Sequence, residues 1–152
     1  MVAQSDFLKW TQELIFSKLE ELGFTLEDAG DLGFIFRYEE LNVLYMPDDD
    51  ENFLRFAVPG IYDVTEENKA LVFEVVNNTN MSIKYSKTFV YGDDVWIFYE
   101  CRLYSEDYLE QIIEHGMLLK ATYYLFYRKI EGDDTLPCNN DDDNDNETEE
   151  DE

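Results

Sequence analysis

Residues 83–104 alternate between apolar and polar or aromatic side chains for two stretches, Ile83 to Tyr91 and Val95 to Tyr104, broken only by Gly92-Asp93-Asp94. A strand turns successive side chains to opposite faces, so a period of two allows little besides a β-hairpin closed by a short Gly-containing turn. In the second stretch Val95, Ile97, Tyr99, Cys101 and Leu103 share one face, while Trp96, Phe98, Glu100, Arg102 and Tyr104 share the other. The first set is apolar and the second mixed, as in an antiparallel sheet with one covered side and one partly open side. Ile97 belongs to the covered side.

The rest of the chain supplies partners for that hairpin. "SDFLKWTQELIFSKLEEL" (5–22) has helical spacing, with Leu8, Ile15, Leu19 and Leu22 on one stripe, Ser5 as a start signal and Gly23 as a stop. Three strands are predicted next. They are "LGFIFRYEE", then "LNVLYMP" after a turn at Glu39–Asn42, then "NFLRFAVPG", which Pro59-Gly60 ends. Residues 65–79 predict a helix, with Asp63 and Glu66 spaced as a capping box and acid in the first turn. "SEDYLEQIIEHGMLLKATYYLFYRKI" predicts a single terminal helix capped by Ser105, about 37 Å long at ~1.5 Å per residue. The order α-β-β-β-α-β-β-α, with strands grouped and joined by short turns, defines an α+β fold with a five-stranded antiparallel sheet.

Charge divides the chain. The formal net charge of its 152 residues is −25, yet twelve of the 36 acidic residues and none of the 11 basic ones lie from Glu131 onward, which leaves −13 for residues 1–130. "NNDDDNDNETEEDE" has too little apolar surface to offset ordering entropy, so residues 1–131 are expected to form one domain and 132–152 a disordered acidic tail. The negative field disfavours nucleic acid and anionic membrane as ligands. No basic start precedes a continuous apolar stretch and no window has ~18 apolar residues, so neither a leader nor a membrane span is expected. The two cysteines, Cys101 in a strand pattern and Cys138 in the tail, read as reduced thiols of a cytoplasmic protein.

The element order resembles the YbjN family of bacterial proteins, whose fold is similar to that of type III secretion chaperones. The resemblance covers residues 5–130. It is carried by "FEVVNNTNMSIKYSKTFVYGDDVWIFYECRLYS" followed by "YLEQIIEHG", where Asn77 and Asn80, then Lys84 and Tyr85, look like the family's N-x-x-N exit from a helix into a hairpin. "LGFIFRYEELNVLYM" is similar too. The resemblance implies a binding or regulatory protein and brings no catalytic set.

The residues point the same way. His115 is the only histidine, so neither a catalytic triad nor a zinc site is expected. Asp141, Asp143, Asp145, Glu147, Glu149 and Glu152 have EF-hand spacing, but Asn146 stands where glycine is needed. "PDDDEN" (47–52) and Asp93-Asp94 read as solvated turns, and no glycine-rich phosphate cradle is present. No cofactor or metal is therefore expected. "ATYYLFYRKI" has more rings than one core face needs, and Gly116 costs a helix roughly 1 kcal/mol relative to Ala. Gly116, Tyr123, Tyr124 and Tyr127 are thus the expected protein-binding surface, with the open face of the hairpin beside it. The function expected is a non-catalytic protein-binding module, chaperone-like or regulatory, homodimeric or holding a protein partner. The rival is an acidic nucleic-acid mimic that occupies basic partners. Removal of residues 133–152 is expected to leave one cooperative thermal transition; its loss on truncation would contradict the domain boundary.

Overall fold

A computed structural model of the chain describes residues 4–49 and 52–132, with side chains from Gln12 onward. The elements run α1 (Gln4–Glu21), β1 (Glu27–Asp28), β2 (Phe34–Tyr38), β3 (Leu41–Tyr45), β4 (Phe53–Asp63), α2 (Lys69–Ser82), β5 (Ser86–Tyr91), β6 (Asp94–Arg102), α3 (Leu109–Gly116) and α4 (Leu119–Ile130). The fold is α+β, but its sheet has six strands rather than five, in the order β1-β2-β3-β4-β6-β5 with every pair antiparallel. The added strand, β1, is two exposed acidic residues opposite Phe34 and Ile35, too short and too polar to show alternation.

Alternation predicts the two faces correctly. On β6, Val95, Ile97 and Tyr99 are buried in the core that also holds Leu54, Phe56 and Val58 of β4 and Ile15 and Leu19 of α1. The α1 terminus is a Schellman close. Phe24 N donates to Leu19 O (3.1 Å), Gly23 N donates to Glu20 O (3.0 Å), and Gly23 takes φ +99°. That turn drops Phe24 onto Phe36, 4.7 Å between ring centroids. The predicted start Ser5 falls one residue inside α1, which begins at Gln4.

Three expectations are corrected. Pro59-Gly60 does not end β4; the strand passes through it as a bulge. Val58 faces Ile97 and Tyr62 faces Val95, with the extra residues absorbed between them and Gly60 at φ +56°. The start of α2 is not set by Asp63 and Glu66. Thr65 and Asn68 cap each other instead, Thr65 N donating to Asn68 Oδ1 (2.7 Å) and Asn68 N to Thr65 Oγ1 (3.2 Å), because Asp63 is still strand. The terminal helix is two helices. Ser105 does cap the segment, accepting from Asp107 N at 3.1 Å, but onto a 3-10 turn at Glu106–Tyr108. At Met117 and Leu118 the bonds shorten to i→i−3, onto Glu114 O and His115 O, which separates α3 from α4.

Gly116 shows why the helix breaks there. A Cβ on it would stand 2.7 Å from Phe56 Cδ2 and 3.1 Å from Tyr99 Cδ1, so the backbone lies directly on two core rings. The four α-helices among the described residues gather on this side: α3 contacts α1, α4 crosses β4, β6 and β5, and α2 packs on β5 and α4. Gly116→Ala gains roughly 1 kcal/mol of helix propensity but overpacks by ~1–3 kcal/mol, so a net loss of about 1 kcal/mol is expected. Ile97→Ala, at a fully buried site, is expected to cost about 2–5 kcal/mol. Denaturant midpoints check both, and a wild-type midpoint for Ile97→Ala would contradict the assigned face.

Candidate binding face

With the helices on one side, the opposite face of the sheet can be read from its register in rows. One row crosses all six strands: Glu27, Ile35, Leu44, Ala57, Phe98 and Lys87. The next holds Trp96 and Phe89, and the last holds Asp63, Asp94 and Tyr91. Leu44 and Ala57 are buried, forming a floor. The rings stand beside it, on β6 and β5. Trp96 and Phe98 lie parallel at 5.9 Å, Phe89 meets Phe98 edge-on at 5.5 Å, and Tyr91 leans on Trp96 at 5.4 Å. Phe89 is 47% and Tyr91 65% exposed. With Leu32 and Met46 these rings line a groove of about 420 Å³.

The groove has a charged border. Arg55 is held between Asp48 (2.9 Å) and Glu100 (2.9 Å), so "PDDDEN" supplies one side of an ion-pair network. At the other end the Asp94 carboxyl is raised above the ordinary carboxylate range, first by its hydrogen bond to Asp63, then by desolvation and by the charges of Asp63 and Asp93. Lys87 is turned aside, its Nζ donating to the carbonyls of Asn80 (3.1 Å) and Ile83 (3.3 Å).

The outer edge of β5 is occupied by a side chain. Thr88 N donates to Asn80 Oδ1 (2.7 Å), and Asn80 Nδ2 donates to Thr88 O (3.0 Å). Asn80 therefore takes the place of a neighbouring strand's peptide group, and covering an edge in this way blocks strand addition there. The N-x-x-N spacing flagged this residue in the sequence; its bidentate role needed the fold to bring α2 beside β5.

The four residues expected to form a binding surface lie together along α3 and α4, on the covered side. Gly116 is buried against Phe56 and Tyr99. Tyr127 is half-buried, donates to Ile61 O and meets Tyr62 at 6.2 Å. Tyr123 is half-buried between Tyr124 and Tyr127. Tyr124 is 40% exposed, and its Oη donates to Glu40 Oε2 at 2.9 Å. Much of the ring excess in α4 thus packs on the molecule's own sheet.

His115 lies in contact with rings: Nδ1 is 3.0 Å from Tyr99 Oη, and Tyr85 meets it at 4.2 Å from an αL backbone at φ +73°. Burial raises Tyr99 well above its ordinary range and raises the half-buried Cys101 thiol too, the reverse of what a nucleophile needs. The EF-hand spacing at 141–152, the tail and Cys138 lie outside the described residues. Among the described residues no group of three potential ligands converges on a metal position, and no helix is long and apolar enough to cross a membrane.

The class so defined is an α+β domain with helices packed on one face of an antiparallel sheet and rings on the other. Among solved structures the chain is similar to YbjN, a candidate transcription regulator from E. coli, with a TM-score of 0.60 and 11% identity over 79% of this chain and 92% of that one. No protein-family model matches the sequence, and no curated protein matches it. At that identity the likeness is one of fold, and it is the YbjN fold that the sequence resembles.

Asn80→Ala would strip Thr88 of two backbone partners. The expected loss is ~1–3 kcal/mol in a denaturant midpoint, with concentration-dependent light scattering as the edge opens. An unchanged midpoint would mean that the clamp contributes nothing.

Proposed function

We propose that the chain is a non-catalytic protein-binding module, regulatory or chaperone-like, and that its open sheet face is where the partner docks. The observation that carries this reading is the contiguous set Phe89, Tyr91, Trp96 and Phe98 over a buried Leu44–Ala57 floor. Aromatic side chains concentrate at the energetic centres of interfaces, and an apolar strip with a charged border has the make-up of one. The fold of a candidate transcription regulator fits a regulatory role. Self-association is part of the reading, through the exposed rim of α4 at Tyr124 with Tyr123 behind it; Gly116 and Tyr127 act there as support from within.

Capture of partners from native lysate tests the docking face. Capture is expected to survive moderate salt and to be lost in Tyr91→Ala and Trp96→Ala variants whose circular dichroism matches wild type. Capture that ignores both substitutions and disappears steeply with salt would instead favour the acidic mimic. Light scattering tests the α4 contact: a dimeric mass is expected to fall to monomer in Tyr124→Lys, and a monomeric wild type would remove it.

A further inference from the structure

The partner class can be read from how the face is bounded. Strand addition at β5 is blocked, because Asn80 holds both backbone groups of Thr88. The opposite edge is β1, only two residues long. A partner must therefore approach over the face and bind through side chains, which an amphipathic helix does with an i, i+3, i+4, i+7 stripe.

Charge selects among such helices. Asp63 and Asp94 stand side by side in the row that ends in Tyr91, so two carboxyls adjoin the exposed rings. The register that pairs Asp63 with Asp94 sets two like charges beside each other, a position that a partner's cation would relieve. Arg55 already has two carboxylates, and Lys87 is turned onto carbonyls at the edge. An exposed cation, Arg102, stands at the far end of β6 opposite Phe53. A cation over Trp96 or Tyr91 would gain from the ring faces as well as from Asp94. The formal net charge of −25 draws cationic partners from a distance.

We infer that the open face binds a cationic amphipathic helix of a partner protein, its apolar stripe in the Trp96–Phe98 groove and a lysine or arginine at Asp63 and Asp94. This rests on the reading of the open face as the docking face and names its occupant.

Two synthetic helices serve as probes against the full chain: a Leu/Lys peptide with leucine at i, i+3, i+4 and i+7, and its Leu/Glu twin. Calorimetry is expected to show that the Lys peptide binds and the Glu twin does not. Asp94→Asn and Tyr91→Ala are each expected to weaken the Lys peptide about tenfold, while Tyr108→Ala, at an exposed ring outside the groove, leaves it unchanged. The residues of Tyr91 and Asp94 are exposed enough for these variants to keep their fold, which circular dichroism checks. Lys-peptide binding at full strength in both variants would place it on acidic residues elsewhere and overturn the inference. Equal binding of both peptides would overturn the charge preference. A wild-type dimer dispersed by Tyr91→Ala would make a second copy the occupant and overturn it also. If neither peptide binds while lysate capture still requires Trp96, the partner class fails and the docking face stands; if capture ignores Trp96 as well, both fail.

Discussion

Phe56 lies opposite Tyr99 where β4 and β6 pair, with the two rings stacked 6.4 Å apart and both buried. Phe36 and Tyr45 close on Phe56 from the neighbouring strands, at 5.9 and 6.3 Å. Gly116 lies on the ring from above, with no room for a Cβ. One aromatic side chain thus ties the first meander, the hairpin and the terminal helices together. The dependence runs outward from there. The break between α3 and α4 follows from bringing a backbone onto Phe56, and it lets α3 pack beside α1 while α4 crosses the sheet. The Pro59-Gly60 bulge lets β4 continue past this contact to Tyr62, which meets Phe126 of α4 at 5.8 Å.

Placing all four helices on one face has a consequence for the other. A sheet with a single covered face normally shows polar side chains to water. Here the uncovered side keeps a floor of Leu44 and Ala57 and a cluster of four rings, beside an edge closed by Asn80. Closing the edge while leaving the face apolar separates two kinds of contact. Uncontrolled strand pairing is suppressed, whereas side-chain docking is left open. On the proposed reading specificity comes from the border, where Asp94 and Asp63 at one end and the Asp48–Arg55–Glu100 network at the other place charge beside the groove.

Much of this was legible in the sequence where a physical period carried it. Alternation placed Ile97 and Tyr99 on the covered side, and Gly23 marked the α1 terminus. The misses share a different character. β1 is too short to have a period. Pro59-Gly60 reads as a stop because a bulge and a strand end use the same residues. The α3–α4 break is invisible to spacing, since residues 109–130 keep a three-and-four seam on both sides of it. Gly116 and the tyrosines of α4 stood out as an excess of rings and one small residue, but an excess does not say which rings the molecule's own sheet will cover. The open face was visible as a mixed alternation at Trp96 and Phe98. Phe89 and Tyr91 joined it only once the hairpin register set them beside those rings. Asn80 was noticed as a motif, and its role as a substitute strand depends on α2 reaching β5, eight residues away in sequence.

The central claim is that one face of the sheet is structural and the other receives a partner. Hydroxyl-radical footprinting, read residue by residue in the free protein and in a complex recovered from lysate, tests it most directly. In the free protein Phe89, Tyr91, Trp96 and Phe98 should oxidise readily while Phe56, Tyr99 and Phe126 react slowly. In the complex the first group should become protected and the second should not change. Protection that falls on Leu71 and Phe73 of α2 or on Tyr124 of α4, with Tyr91 and Trp96 still reactive, would contradict it.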